Sequence, residues 1–285
     1  MTTVPTLAPS LPTQAITRPL HDQDAWTTYL RNADIPVLAD TAQALEALRA
    51  NEDKTDANII GEMISSDPLM TLKVLAYASA HRSSRSVTDI KTVTAAIVMM
   101  GITPFFAAFG QQATVEDRLA AEPEALVGLY EALRRAHRGA DFALGFAIHR
   151  MDPDAPVIHA TALLHNFSEL LMWCHAPALA LQIRTAQSAD PTLRSDAAQL
   201  SVLNIELADL QQVLMKAWRL PDLMIRIADQ RHAQQANVRC VTLATQLARH
   251  TANGWDSPAI PDDIAQIASL LNLSAAAALH LVQDI

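Results

Sequence analysis

The chain has 285 residues, of which half are hydrophobic and 18% charged, and its formal net charge is −9. That apolar fraction is enough to bury a sizeable core and excludes global disorder. The acidic balance argues against a protein that tracks a nucleic-acid backbone, because such binding draws its affinity from neutralised phosphates.

Residues 1–20 hold Pro5, Pro9, Pro12 and Pro19 among small and polar residues and read as a flexible arm. Asp22 to Asn32 fits a short helix with Trp26, Tyr29 and Leu30 on one face. From Ile35 the helical signals follow one another. Ala44, Leu45 and Leu48 form one stripe, and Ile59, Ile60, Met63 and Ile64 a second. Asp67 is placed to cap a helix that opens on Pro68 and buries Leu69, Leu72, Leu75 and Ala76. Thr88 to Met100 reads as another helix, stopped by Gly101. Pro104 suits the start of the next, where Phe105, Phe106 and Phe109 read as core, as do Met99 and Met100. These Met and Phe side chains would also suit an adaptable partner groove.

After Pro123 a long helix is expected over about 124–150, with Arg134, Arg135 and Arg138 on a solvated face. They are also the residues to contact a nucleotide or an acidic partner. Residues 152–156 read as a loop, in which Asp152 and Asp154 suit a turn better than an acid–base pair. Further helices are expected at about 157–173, 176–188, 192–201, 206–218, 221–234 and 237–253, then at 262–271 and 274–283. The last two carry Ile264, Ile267, Leu270, Leu271, Leu279, Leu281 and Val282, a stripe for docking on the bundle or for self-association. Few glycines, few aromatics and no period-2 run make the fold class all-α. No apolar run approaches the ~18 residues of a spanning helix, and no secretory leader is visible after Met1. Cys174 and Cys240, far apart and without a CxxC pattern, read as reduced thiols of a cytoplasmic protein. No glycine-rich phosphate loop, GxSxG or His-Glu-x-x-His is present.

Two blocks carry a resemblance. The first runs from Ile35-Pro36-Val37-Leu38 through Ser66-Asp67-Pro68 to Met100-Gly101. The second comprises His137, then Leu163-Leu164-His165-Asn166, then Trp218-Arg219-Leu220-Pro221, then Arg231-His232. Together, over about 35–250, they resemble the HDOD domain, the HD-related output domain of bacterial signalling proteins and a degenerate branch of the HD phosphohydrolases. The departures are Ala39, where the family's entry motif has a second Pro, and Ser79, where its Ala-Asn-Ser turn has Asn. The resemblance implies two packed helical subdomains, an N-terminal bundle over 21–120 and an HD-like bundle over 121–285.

In catalytic HD relatives metal is held by a first His, a His-Asp pair and a late Asp, often with a further His pair. The corresponding positions here are His137, His165, Asn166, Thr245, Arg231 and His232. Asn166 offers a neutral amide and Thr245 a hydroxyl where carboxylates would stand, and Arg231 is always charged. The resemblance therefore implies no metal, no cofactor and no catalysis. The expected role is a regulatory module that binds a protein partner, with a small ligand in the relic cleft as modulator. There Arg231, His232, Arg138 and His137 would face an anion. A nucleotide or cyclic-dinucleotide sensor is one alternative. A divergent phosphohydrolase, with Glu169 or Asp141 replacing the lost acids, is another. Nucleic acid and membrane are not expected as partners, and a homodimer is left open.

Overall fold

The computed structural model describes residues 15–81, 90–190 and 192–285. Within them every regular element is helical, and one isolated parallel bridge pairs Val37 with Thr114. Short polar residues set the helix starts. Asp22 accepts from Ala25 N (2.9 Å) and opens α1, Gln23–Asn32. Helix α2 spans Ala39–Arg49. Asp56 caps α3, Ala57–Ser65, and Asp67 caps α4, Pro68–Ala80. Thr92 caps α5, Val93–Met100, which ends at Gly101 with φ 83°, a conformation that glycine adopts without steric cost.

Then follow α6 (Ile102–Ala108), α7 (Val115–Arg118), α8 (Pro123–His149), α9 (Ala155–Leu163) and α10 (Phe167–His175). The chain continues through α11 (Pro177–Ala189), α12 (Ser195–Leu203), α13 (Leu207–Ala217) and α14 (Asp222–Ile227). It closes with α15 (Ala236–His250), α16 (Ile260–Leu271) and α17 (Ala275–Asp284).

Packing divides the chain into two units that interleave in sequence. The first comprises Met1–Tyr130 and Phe167–Arg219, the second Glu131–Asn166 and Leu220–Ile285. The boundary read at 120/121 follows chain order, whereas the packing lets α8 run from one unit into the other.

In the first unit the core holds Trp26, Leu30, Ile60, Ile64, Leu69, Leu72, Phe105 and Phe109. Trp26 donates its indole N–H to Leu203 O at 3.0 Å, so this large side chain is buried without an orphaned donor. Asp67 is fully buried and accepts from Leu38 N (2.9 Å), Leu69 N (2.8 Å) and Met70 N (3.1 Å). It therefore caps α4 and fastens the Ile35–Leu38 entry to it, which is the physical content of the Ser66-Asp67-Pro68 block. His175 closes α10 almost fully buried, with the Tyr29 ring edge-on at 5.7 Å and Arg118 Nη1 at 3.4 Å from its Nδ1.

In the second unit α15 packs against α9, α14 and α16 around Phe142, Phe146, Ile158, Leu163, Val241, Leu247 and Ile267. Buried Asp263 of α16 receives His250 Nδ1 at 2.6 Å and Gln246 Nε2 at 2.8 Å, both from α15. The C-terminal stripes dock here: Ile264, Ile267, Leu270, Leu271 and Val282 are buried, and Leu279 and Leu281 pack against the same core.

Several sequence expectations change. The helix expected over 157–173 is two helices, broken at Leu164-His165-Asn166. The helix expected over 221–234 stops at Ile227, and Gln230–His232 forms a separate 3-10 turn capped by Asp229. Helix α5 starts at Val93, since the Thr92 hydroxyl caps it, whereas the sequence suggested Thr88. Ile59 is exposed rather than part of the α3 stripe, and Met99 lies open rather than in the core, as does its neighbour Val98. Of the arm, residues 1–14 lie outside the described residues. The remainder is non-helical but anchored, with Ile16 N donating to His175 O (2.7 Å) and Leu20 O accepting from Asn204 Nδ2 (3.1 Å). Arg82 and Arg85, in a stretch whose sequence suits solvated surface or a contact site, also lie outside the described residues.

Candidate relic metal site

All six positions singled out by sequence belong to the second unit. They stand on elements gathered around α15: His137 on α8, His165 and Asn166 in the turn after α9, Thr245 on α15 itself, and Arg231 and His232 in the 3-10 turn beside it. Gly139 sets the approach of α8 to α15, because a Cβ added there would lie 3.2 Å from Thr245 Cγ2. The Thr245 hydroxyl donates within its own helix, to Val241 O at 2.9 Å and Thr242 O at 3.1 Å. This is the usual way for a helical threonine to satisfy itself, and it turns the hydroxyl away from ligand work.

The electrostatics are those of a site for neutral groups. His165 has its pKa pushed down to about 4, first by burial and then by the positive charge of Arg249 on α15. A divalent metal seated there would meet the same guanidinium. Asn166 is exposed. On α8 His137 and Asp141 are one turn apart, and both act on His159 of α9. Burial lowers the pKa of His159, the Asp141 carboxylate raises it, and His137 lowers it. Among the described residues no three His, Cys, Asp or Glu side chains converge as a metal ion requires. Asp141 and Glu169, the substitute acids of the enzymatic alternative, belong to different units, since Glu169 lies on α10 of the first.

The cations assigned to an anion clamp have other engagements. Arg231 grips Asp229 through Nε (2.9 and 3.0 Å) and Nη2 (2.7 Å), and this pairing lowers the Asp229 pKa to about 2. Arg138 is half-buried, its guanidinium 5.3 Å from the Phe142 ring centre and 5.5 Å from that of Trp255. That is a cation–π stack within the unit, not a solvated face. Arg135 is also half-buried, and Arg134 is exposed as expected. His232 is exposed. An open groove of about 330 Å³ lies in the first unit, lined by Glu124, Val127, Leu181, Arg184, Thr185 and Ser188. It includes none of the six positions.

Sequence reasoning passed over His159 and Arg249. Arg249 follows Thr245 by one helical turn, so its place on the same face was readable from spacing. His159 had no such signal, because the chain breaks between it and His165.

The family profile described as "HDOD domain" matches residues 35–234. No curated protein sequence gives a match. Among solved structures, the MmoQ response regulator from Methylococcus capsulatus superposes with a TM-score of 0.64 at 18% identity, covering 88% of this chain and 99% of that one. A virulence factor from Campylobacter jejuni gives 0.64 at 16% identity, covering 92% and 94%. At these identities the likeness is one of fold.

Proposed function

This chain belongs to the HDOD family, and on that premise we propose that it is a non-catalytic regulatory module of bacterial signal transduction, acting in the cytoplasm by binding a protein partner. The observation that carries this reading is the surroundings of His165. An HD hydrolase needs acids beside that histidine to hold a cation and generate a nucleophile from its bound water. Here Arg249 brings a positive charge to bear on it, and the resemblance puts Asn166 and Thr245 at the acid positions. The response-regulator name of the Methylococcus structure accords with a signalling role. No described helix is long and apolar enough by itself to cross a membrane, and the net charge of −9 disfavours nucleic acid.

The test is a turnover screen of the full chain against bis(p-nitrophenyl) phosphate and cyclic dinucleotides, with Mn²⁺, Fe²⁺ or Zn²⁺ added. The proposal expects no hydrolysis above the metal-only background. Hydrolysis that disappears in His165→Ala would defeat it.

The charges of Asp141 and His137 that bear on His159 of α9 are compatible with a small polar ligand as modulator at the relic site. A thermal-shift panel of nucleotides separates this sensor reading from pure protein binding, because a ligand specific to the folded state raises apparent stability.

A further inference from the structure

The N-terminal arm is fastened close to the open groove of the first unit. Ile16 N donates to His175 O at 2.7 Å, and His175 stands two residues before Pro177, the first residue of α11. Leu20 O accepts from Asn204 Nδ2 at 3.1 Å, at the C-terminal end of α12. Helices α11 and α12 pack on one another, so from Leu20 back to Ile16 the chain passes from α12 to α11. Leu181, Arg184, Thr185 and Ser188 of α11 form one wall of the groove, about 330 Å³ in volume, and Glu124 and Val127 of α8 form the other. The wall begins one turn beyond Pro177. Val127, an apolar side chain in it, is 51% exposed.

We propose that residues 7–12, Leu7-Ala8-Pro9-Ser10-Leu11-Pro12, lie in this groove as a strap. The tether selects that occupant. In polyproline II, the conformation that Pro9 and Pro12 favour, Leu11 reaches about 16 Å from Ile16 and Leu7 about 28 Å. Leu181 and Ser188 lie about 6 and 16 Å along α11 from Pro177, so the segment spans the wall with slack. A segment held this close faces the groove at an effective concentration in the millimolar range, which a separate partner of like chemistry has to exceed. The prolines have their φ fixed before docking, which lowers the cost of ordering. Residues 1–14 contain no Asp, Glu, Lys, Arg or His, so their side chains bring no like charge to Glu124 and no ion to desolvate against Val127 and Leu181. A partner that reads α8 and α11 has to displace the strap first, and the arm thereby regulates access to the first unit.

The experiment is disulfide formation in the full chain in a glutathione buffer, with Ser10→Cys paired first with Thr185→Cys on the groove wall and then with Leu200→Cys on α12. Leu200 is exposed and one turn before Asn204, so it lies near the arm's anchor but outside the groove. The native Cys174 and Cys240 are buried and stay out of the exchange. Intact-mass spectrometry reads the disulfide, and circular-dichroism melts check that each variant folds, as the open positions of Thr185, Leu200 and Val127 predict. The Thr185 pair is expected to close within one chain, at an effective concentration at least about tenfold above that of the Leu200 pair. Val127→Asp, added to the Thr185 pair, should lower that concentration about tenfold, since a charge then stands where the strap packs. A Thr185 pair that stays open, or closes no better than the Leu200 pair, overturns the proposal. So does indifference to Val127→Asp, or a disulfide that joins two chains instead.

Discussion

Asp67 in the first unit and Asn166 in the second lie at the centres of the two sequence blocks that resemble the family, yet their surroundings are opposite. Asp67 is buried, which raises its pKa, and it is held by three backbone N–H groups. Asn166 is an exposed amide in a turn. Asp67 is a carboxylate that ties a loop to a helix, whereas Asn166 stands where the resemblance would put a carboxylate that holds a cation. The difference teaches that likeness to a family can be carried by residues that hold the architecture as well as by residues at a site, because the two tasks fall to different side chains.

The largest expected effect is at Asp67. Asp67→Ala strands buried backbone donors and removes a helix cap, a loss of about 4 kcal/mol. Urea unfolding monitored by circular dichroism measures it. Asp67→Asn, which keeps an acceptor oxygen, should lose less. If Asp67→Ala costs no more than a surface change, Asp67 is not the tie described here.

Acid comes next, and it acts on both units. His175 in the first and His165 in the second each have a pKa lowered to about 4, against 6.5 for an unperturbed imidazole. Burial is the main cause in both cases. Arg118 adds to it and Asp34 opposes it at His175, and Arg249 adds to it at His165. Between those values the unfolded chain binds more protons than the folded one. Stability is therefore full above about pH 6.5 and falls as pH drops toward 4, by on the order of 2 kcal/mol per histidine. His165→Gln and His175→Gln should each remove part of that slope when unfolding free energy is measured against pH. An unchanged slope in both would show that neither imidazole is held neutral.

Helix α8 allows a finer comparison, because two of its close approaches, at Gly128 and Gly139, fall in different units. At Gly128 an added Cβ would intrude on the Trp173 ring, whereas at Gly139 it would stand 3.2 Å from the Thr245 methyl. Gly128→Ala should cost about 2 kcal/mol through overpacking against a rigid indole. Gly139→Ala should fall near zero, a small clash offset by about 1 kcal/mol of helix propensity. Thermal melts decide the order, and equal losses would contradict it. Smallest of all, Asn166→Asp should change stability by no more than about 0.5 kcal/mol, as expected at an exposed position without partners to lose.

Much of the fold was readable because caps and stripes are local. Asp67-Pro68, Gly101 and Pro123 mark element ends by their own backbone chemistry. The all-α class followed from the composition and the lack of any period-2 run, and α8 was placed to within a residue or so at each end. The breaks that matter most were not readable. Nothing in Ala160 to Leu171 departs from helical periodicity, and the turn at His165 is imposed where the chain leaves one packed unit for the other. Asp229 ends the reach of α14 by capping the next turn, a competition that periodicity does not register. At the site, the resemblance proposed positions for the acids, but the engagements of Arg231 with Asp229 and of Arg138 with Phe142 and Trp255 were not readable. Both depend on which neighbour a flexible cation finds first.

The central claim is that the surroundings of His165 no longer hold a catalytic cation. Elemental analysis of the purified chain, after incubation with Mn²⁺, Fe²⁺ and Zn²⁺ and exhaustive dialysis, tests it most directly. The account predicts far less than one metal ion per chain, unchanged in His137→Ala and His165→Ala. One or two ions per chain, lost in those variants, would contradict it.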